Sequence, residues 1–159
     1  MRLLTLIRIL GYAGLIPFVV PVWLMIDGFW FGPGLQSAVL FGLYAPYLFI
    51  AYSAVILSFM SGTLWANGQT TGNLSLAKPA VLMSNLLALS AWSSLLLIYI
   101  APIMTIFSVT LLMLGFISLL WAERILNSLT EVYWLMRLSL TAIVATLHLV
   151  VVILMLMEL

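Results

Sequence analysis

The last apolar segment of the chain carries a polar stripe that could do chemistry. His148 follows Arg137 by 11 residues, which places it about 16 Å deeper along a helix. Arg137, Thr141 and His148 fall within about 40° of one another on a helical wheel. Because hydroxyl and ionisable groups are costly in hydrocarbon, we expect the stripe to face the protein interior or a partner.

The stripe has two interpretations. In the structural one, a neutral His148 forms a hydrogen bond across helices, while Arg137 pairs with Glu123 or Glu131 at the membrane edge. In the functional one, the stripe and Tyr52 bind a lipid headgroup or a quinone, or transfer a proton. We favour the structural interpretation. Further hydroxyl groups that could meet the stripe lie in the third apolar segment: Ser90, Ser93 and Ser94.

The sequence carries no catalytic or metal-binding pattern. It has one histidine, four acidic residues and no cysteine, whereas a zinc site needs three or four protein ligands. No phosphate-binding loop and no Ser/His/Asp arrangement is present. We therefore predict a protein that is not an enzyme and has no metal or cofactor. The formal net charge of +1 is too small to hold nucleic acid.

The composition identifies the class of protein that must position these residues. Of 159 residues, 66% are hydrophobic and 6% are charged. Soluble domains are about 45–50% apolar and about 25% charged. These values exclude a soluble globular protein and predict an all-α polytopic membrane protein with one domain over residues 1–159.

Five apolar stretches are long enough to cross a bilayer as helices. Their approximate bounds are 9–26, 38–60, 80–98, 102–121 and 138–157. All five basic residues fall on one side of this arrangement: Arg2, Arg8, Lys78, Arg124 and Arg137. Basic residues mark the cytoplasmic side, so the pattern predicts a bundle with the N-terminus inside and the C-terminus outside.

The second span carries a small residue at every fourth position: Ala54, Ser58, Gly62 and Ala66. These residues share one helical face. Small side chains allow close backbone approach, which drives helix association in lipid. We expect this face to pack internally against span one or three, and an oligomer interface is the alternative.

Three segments give the chain a resemblance to a known family. They are Gly14–Phe18 (GLIPF), Tyr52–Phe59 (YSAVILSF) with Gly62 and Trp65, and Trp134–Leu138 (WLMRL). With them, the chain resembles a family of small inner-membrane proteins of unknown function that includes the mitochondrial transmembrane protein 69. The resemblance implies a bacterial inner-membrane or mitochondrial setting, and it implies no activity.

These observations favour a non-catalytic membrane protein in the bacterial inner membrane. Its expected role is that of an accessory or assembly subunit of a larger complex, for example a respiratory one. Its expected partners are the bilayer and other membrane subunits or a second copy. The second hypothesis is a quinone- or lipid-binding protein with a site between spans two, three and five, and the third is a small transporter that acts as an oligomer.

Overall fold

The computed structural model describes residues 3–126 and 131–159. Arg2, which contributes to the predicted orientation, lies outside these residues. The described part contains five helical segments long and apolar enough to span a membrane: Thr5–Phe31, Ala45–Thr70, Leu74–Leu97, Pro102–Leu126 and Glu131–Met157. The prediction of an all-α bundle with five spans is therefore confirmed.

The first span consists of two helices, α1 (Leu3–Ala13) and α2 (Ile16–Phe31). The break between them follows from Pro17, which has no amide hydrogen and cannot continue the hydrogen-bond ladder of α1. The Tyr52 hydroxyl donates to the Gly14 carbonyl at 3.0 Å, so a side chain from the next span satisfies a carbonyl at the break.

The second span begins later than predicted, at helix α3 (Ala45–Thr70). The residues before it form a short antiparallel hairpin of β1 (Val39–Leu40) and β2 (Leu43–Tyr44). Phe41 and Gly42 turn the hairpin with φ angles of 53° and 79°. Two successive left-handed residues match a type I′ turn and cannot belong to a right-handed helix.

The remaining helices are α4 (Leu74–Leu97), α5 (Pro102–Leu126) and α6 (Glu131–Met157). Each extends beyond its predicted apolar window at one end: α4 and α6 at the start, and α5 at the end. Polar residues are tolerated at these helix ends because they lie outside the hydrocarbon. Asn73 caps α4, since its side-chain oxygen accepts from the Ser75 amide at 3.0 Å. The first span likewise runs past its predicted end at residue 26.

Helix α3 lies at the centre of the bundle and contacts α2, α4 and α5. Contacts of α5 with α4 and α6, and of α2 with α6, complete the packing. The tight connection between spans three and four predicts antiparallel neighbours, and the contact between α4 and α5 agrees with this. The core contains side chains from every span, among them Phe18, Phe49, Leu87, Leu112 and Val151.

The small-residue face of α3 does not pack inside the bundle as predicted. Ala54 is buried, but the other three residues are exposed: Ser58, Gly62 and Ala66. A Cβ atom built on Gly62 would have no neighbour within 4 Å. The prediction is wrong for these three residues because the neighbouring helices contact a different face of α3, which includes Leu57 and Leu64.

The glycine that does permit close helix packing is Gly115 on α5. A Cβ atom there would lie 2.5 Å from Cδ2 of Leu57 on α3. We expect Gly115→Leu to lower the free energy of unfolding by about 1–3 kcal/mol through overpacking, and the matched Gly62→Leu variant to change it little. Thermal unfolding in one detergent measures both, and equal losses would contradict the packing described here.

The predicted orientation has a direct test. Reporter fusions at Asn73, between α3 and α4, and at Leu159, after α6, should report opposite sides of the membrane, with Asn73 cytoplasmic. A fusion at Ala101, between α4 and α5, should agree with Leu159 and serves as the control. The same side for Asn73 and Leu159 would contradict the assignment.

Candidate functional site

His148 on α6 is fully buried in a cage of aromatic rings. The rings belong to Phe18 of α2, Phe49 of α3 and Phe116 of α5. Their centroids lie 6.1, 4.6 and 5.6 Å from the imidazole centroid. Four helices therefore meet at one residue, and we call this group the His148 cage.

The hydrogen bonding of the imidazole fits a neutral ring. Nδ1 lies 2.8 Å from the carbonyl oxygen of Val144, one turn earlier on α6. Since a carbonyl can only accept, Nδ1 carries the proton and Nε2 is left as an acceptor. Nε2 is buried and has no hydrogen-bond partner among the described residues. Because the cage consists of apolar rings, a charged imidazole would be costly there.

Arg137 and Glu123 form a buried ion pair between α6 and α5. Arg137 Nε donates to Glu123 Oε2 at 3.0 Å, and its Nη2 donates to both carboxylate oxygens at 2.9 and 3.1 Å. This geometry is that of a strong, charge-assisted pair. Of the two predicted carboxylate partners, Glu123 is confirmed, whereas Glu131 is exposed.

The other two candidate residues lie at separate places. Thr141 is buried one turn deeper than Arg137. Tyr52 donates to the Gly14 carbonyl at the break in the first span, and its ring packs on the outside of the cage, 4.8 Å from the Phe18 ring. The described residues therefore do not bring Arg137, Tyr52 and His148 together as one ligand site.

The third span supplies no ring to the cage, which is built by spans one, two, four and five. Two of the three predicted serines of α4 donate within their own helix, Ser90 to the Leu87 carbonyl and Ser94 to the Ala91 carbonyl. The expected meeting of these serines with the stripe is therefore not found. The phenylalanines of the cage were missed, because isolated apolar residues far apart in the chain give no signal in a hydrophobic sequence.

The geometry predicts that His148 can be replaced without loss of the fold. His148→Leu removes an orphaned acceptor and keeps a similar volume, so we expect the free energy of unfolding to change by less than about 1.5 kcal/mol. His148→Gln places a new, unpaired amide among the rings and should destabilise more. Thermal unfolding of both variants checks this order, and the reverse order would indicate that Nε2 has a polar partner.

One strongly polar side chain lies on the lipid-facing side of α4. Asn85 stands at the middle of the helix and is exposed. Its Nδ2 donates to the Val81 carbonyl at 2.9 Å, and its Oδ1 accepts no hydrogen bond within the described ranges. The exposed residues around it are apolar: Leu82, Leu86, Leu89 and Trp92.

Comparison with known proteins places the chain in a family but not in a functional class. No curated protein and no solved structure matches it. The model of a family described as "Protein of unknown function (DUF3429)" matches residues 4–153. Since this match covers nearly the whole chain, the protein belongs to the DUF3429 family, whose function is unknown.

Proposed function

We propose that the protein is a non-catalytic accessory or assembly subunit of a larger membrane complex. The observation that carries this proposal is Asn85, a carboxamide at the middle of a span on the lipid-facing surface. An unpaired amide oxygen in hydrocarbon is unfavourable. Hydrogen bonds from a neighbouring helix relieve that cost, and polar side chains of this kind promote helix association in membranes.

The interior of the bundle supports the same proposal. Several of its polar groups are bonded within the bundle, as in the pair of Arg137 and Glu123 and the bond from Tyr52 to Gly14. They therefore serve the packing of the helices. The exposed small residues of α3 add a second surface on which another helix can approach closely: Ser58, Gly62 and Ala66.

The cellular setting is part of the proposal. The resemblance to the family that includes the mitochondrial transmembrane protein 69 supports a bacterial inner-membrane or mitochondrial setting, and of these we propose the bacterial inner membrane. A respiratory complex is a natural partner in such a membrane. The protein would then bind its partners through the surfaces of α3 and α4.

The experiment is purification from native membranes in a mild detergent, followed by quantitative mass spectrometry of the recovered proteins. We expect stoichiometric partners with the wild type, and their loss with Asn85→Leu at unchanged thermal stability. Asn85→Gln should retain them, because it keeps the carboxamide. Leu82→Ala, on the same face and without a polar group, is the control for lost surface.

Two results would contradict the proposal. The first is migration of the wild type alone, at the size of one chain in its micelle. The second is equal recovery of partners with Asn85→Leu and with the wild type, which would remove Asn85 from the interface.

A further inference from the structure

A cavity of about 620 Å³ opens at the end of the bundle opposite Lys78. It lies between the start of α3, the connection of α4 to α5 and the end of α6, and we call it the outer cavity. Its polar lining includes Tyr44, Tyr47, Thr105 and Glu158. Its volume is within the range of about 300–1,000 Å³ that is usual for small-molecule sites.

Glu158 is held in the cavity by a loop shaped around its carboxylate. Oε1 accepts a hydrogen bond from the Leu35 amide at 2.7 Å, at the start of a 3₁₀ turn over Leu35–Ser37. A Cβ atom on Gly34 would collide with this oxygen, and the φ of +111° at Gly34 also favours glycine. Glu158 is the one charged side chain among the described residues of the lining, and its Oε2 receives no hydrogen bond from them.

Two aromatic rings stand in the same cavity. Tyr44 and Tyr47 pack edge to face with their centroids 5.1 Å apart and their planes at 84°. The open face of a tyrosine ring beside a carboxylate suits an organic cation. Burial and the negative charge of Glu158 raise the pKa of Tyr44 above its ordinary value, so its phenol remains a neutral hydrogen-bond donor.

Thr105 supplies a further polar group that is not used by the fold. It lies in the first turn of α5, lines the cavity and is 7% exposed. Its hydroxyl makes no hydrogen bond to the part of the chain that the structure describes. The apolar part of the lining includes Ile106 and Met155. The cavity therefore combines a negative charge, aromatic faces, a free hydroxyl and apolar walls at one membrane edge.

We infer that the outer cavity binds the ammonium group of an amphiphile, with a zwitterionic phospholipid as its ligand in the membrane. Glu158 pairs with the ammonium group and the rings of Tyr44 and Tyr47 contact it. The Thr105 hydroxyl donates to an oxygen of the headgroup, and the apolar walls receive the first carbons of an acyl chain. This inference goes beyond the proposed function and does not rest on it.

The test is native mass spectrometry of the full chain with lipids added at equal concentration. We expect phosphatidylethanolamine and phosphatidylcholine to be retained in preference to phosphatidylglycerol, which has no ammonium group. Glu158→Gln keeps an acceptor for the Leu35 amide but removes the charge, and should reduce retention about five- to tenfold. Asp27→Asn removes a charge from an exposed acid outside the cavity and should leave retention unchanged.

A soluble cation distinguishes the two ligands that could supply an ammonium group, a lipid and a free organic ammonium compound. Excess tetramethylammonium should displace the lipid, and binding of this cation without lipid retention would assign the cavity to a free organic ammonium compound. The inference is overturned if neither binds, if phosphatidylglycerol is retained equally, or if Glu158→Gln and Asp27→Asn behave alike. Equal melting temperatures of the two variants exclude misfolding as the cause of a difference.

Discussion

Arg137→Ala is expected to lower the free energy of unfolding by about 3–5 kcal/mol, because it leaves the buried Glu123 carboxylate without its partner. The pair has side-chain exposures of 9% and 3%, so water cannot replace the lost guanidinium. Removal of either partner should have a similar effect. Thermal or denaturant unfolding in a defined detergent measures it.

Two controls separate this effect from a general loss of positive charge. Arg124→Ala removes an exposed arginine that lies over the Trp134 ring, and it should cost no more than about 1 kcal/mol. The double variant Glu123→Leu with Arg137→Met should recover most of the stability, because well-packed apolar residues can replace a buried pair. Equal losses from Arg137→Ala and Arg124→Ala would show that the ion pair contributes little.

Phe18→Ala should lower the free energy of unfolding by about 3 kcal/mol, at the lower end for a buried phenylalanine. Its ring contacts those of Phe49, Tyr52, Phe116 and His148, so its removal opens a void where four helices meet. We expect a value at the lower end of the range because the helices remain in lipid when they separate. The Phe18 ring then contributes packing contacts to stability, and no gain from its removal from water.

Phe59→Ala provides a control with the same chemical change. Phe59 is 69% exposed on α3, whereas Phe18 is 2% exposed. Replacement of Phe59 should change the free energy of unfolding by no more than about 0.5 kcal/mol. Steric trapping or thermal unfolding in one lipid mixture compares the two variants. A loss for Phe59→Ala as large as that for Phe18→Ala would place the core on the other side of α3.

The spans were predictable because each is a long apolar run, but their ends were not. Hydrophobicity detects only the part of a helix that lies inside the hydrocarbon. For this reason the apolar run predicts a start near residue 138 for α6, whereas the helix begins at Glu131. The hairpin before α3 escaped prediction because its residues, such as Val39 and Leu40, are as apolar as a span. Its turn at Phe41 and Gly42 depends on backbone conformation.

The candidate site was predictable to the same limited degree. Glu123 is one of the two partners predicted for Arg137, and it was predictable because both residues stand at one membrane edge on consecutive helices. The rings around His148 depend on which faces of four helices meet, and a uniformly apolar sequence does not reveal those faces. The prediction for the small-residue face of α3 was wrong for the same reason. Gly62 is small enough for close helix packing, but it lies on a face that no described helix covers.

The position of His148 and Arg137 on α6 has a consequence for synthesis of the protein. Chains are made from the N-terminus, and domains form as their segments become available. The three phenylalanines of the cage are all synthesised before α6: Phe18, Phe49 and Phe116. Until α6 inserts, their rings lack the His148 side chain that they surround in the complete bundle. Glu123 likewise lacks its counter-charge until then. Insertion of α6 is therefore the step that completes the bundle, and a nascent chain halted before it holds both an open core and a lone carboxylate.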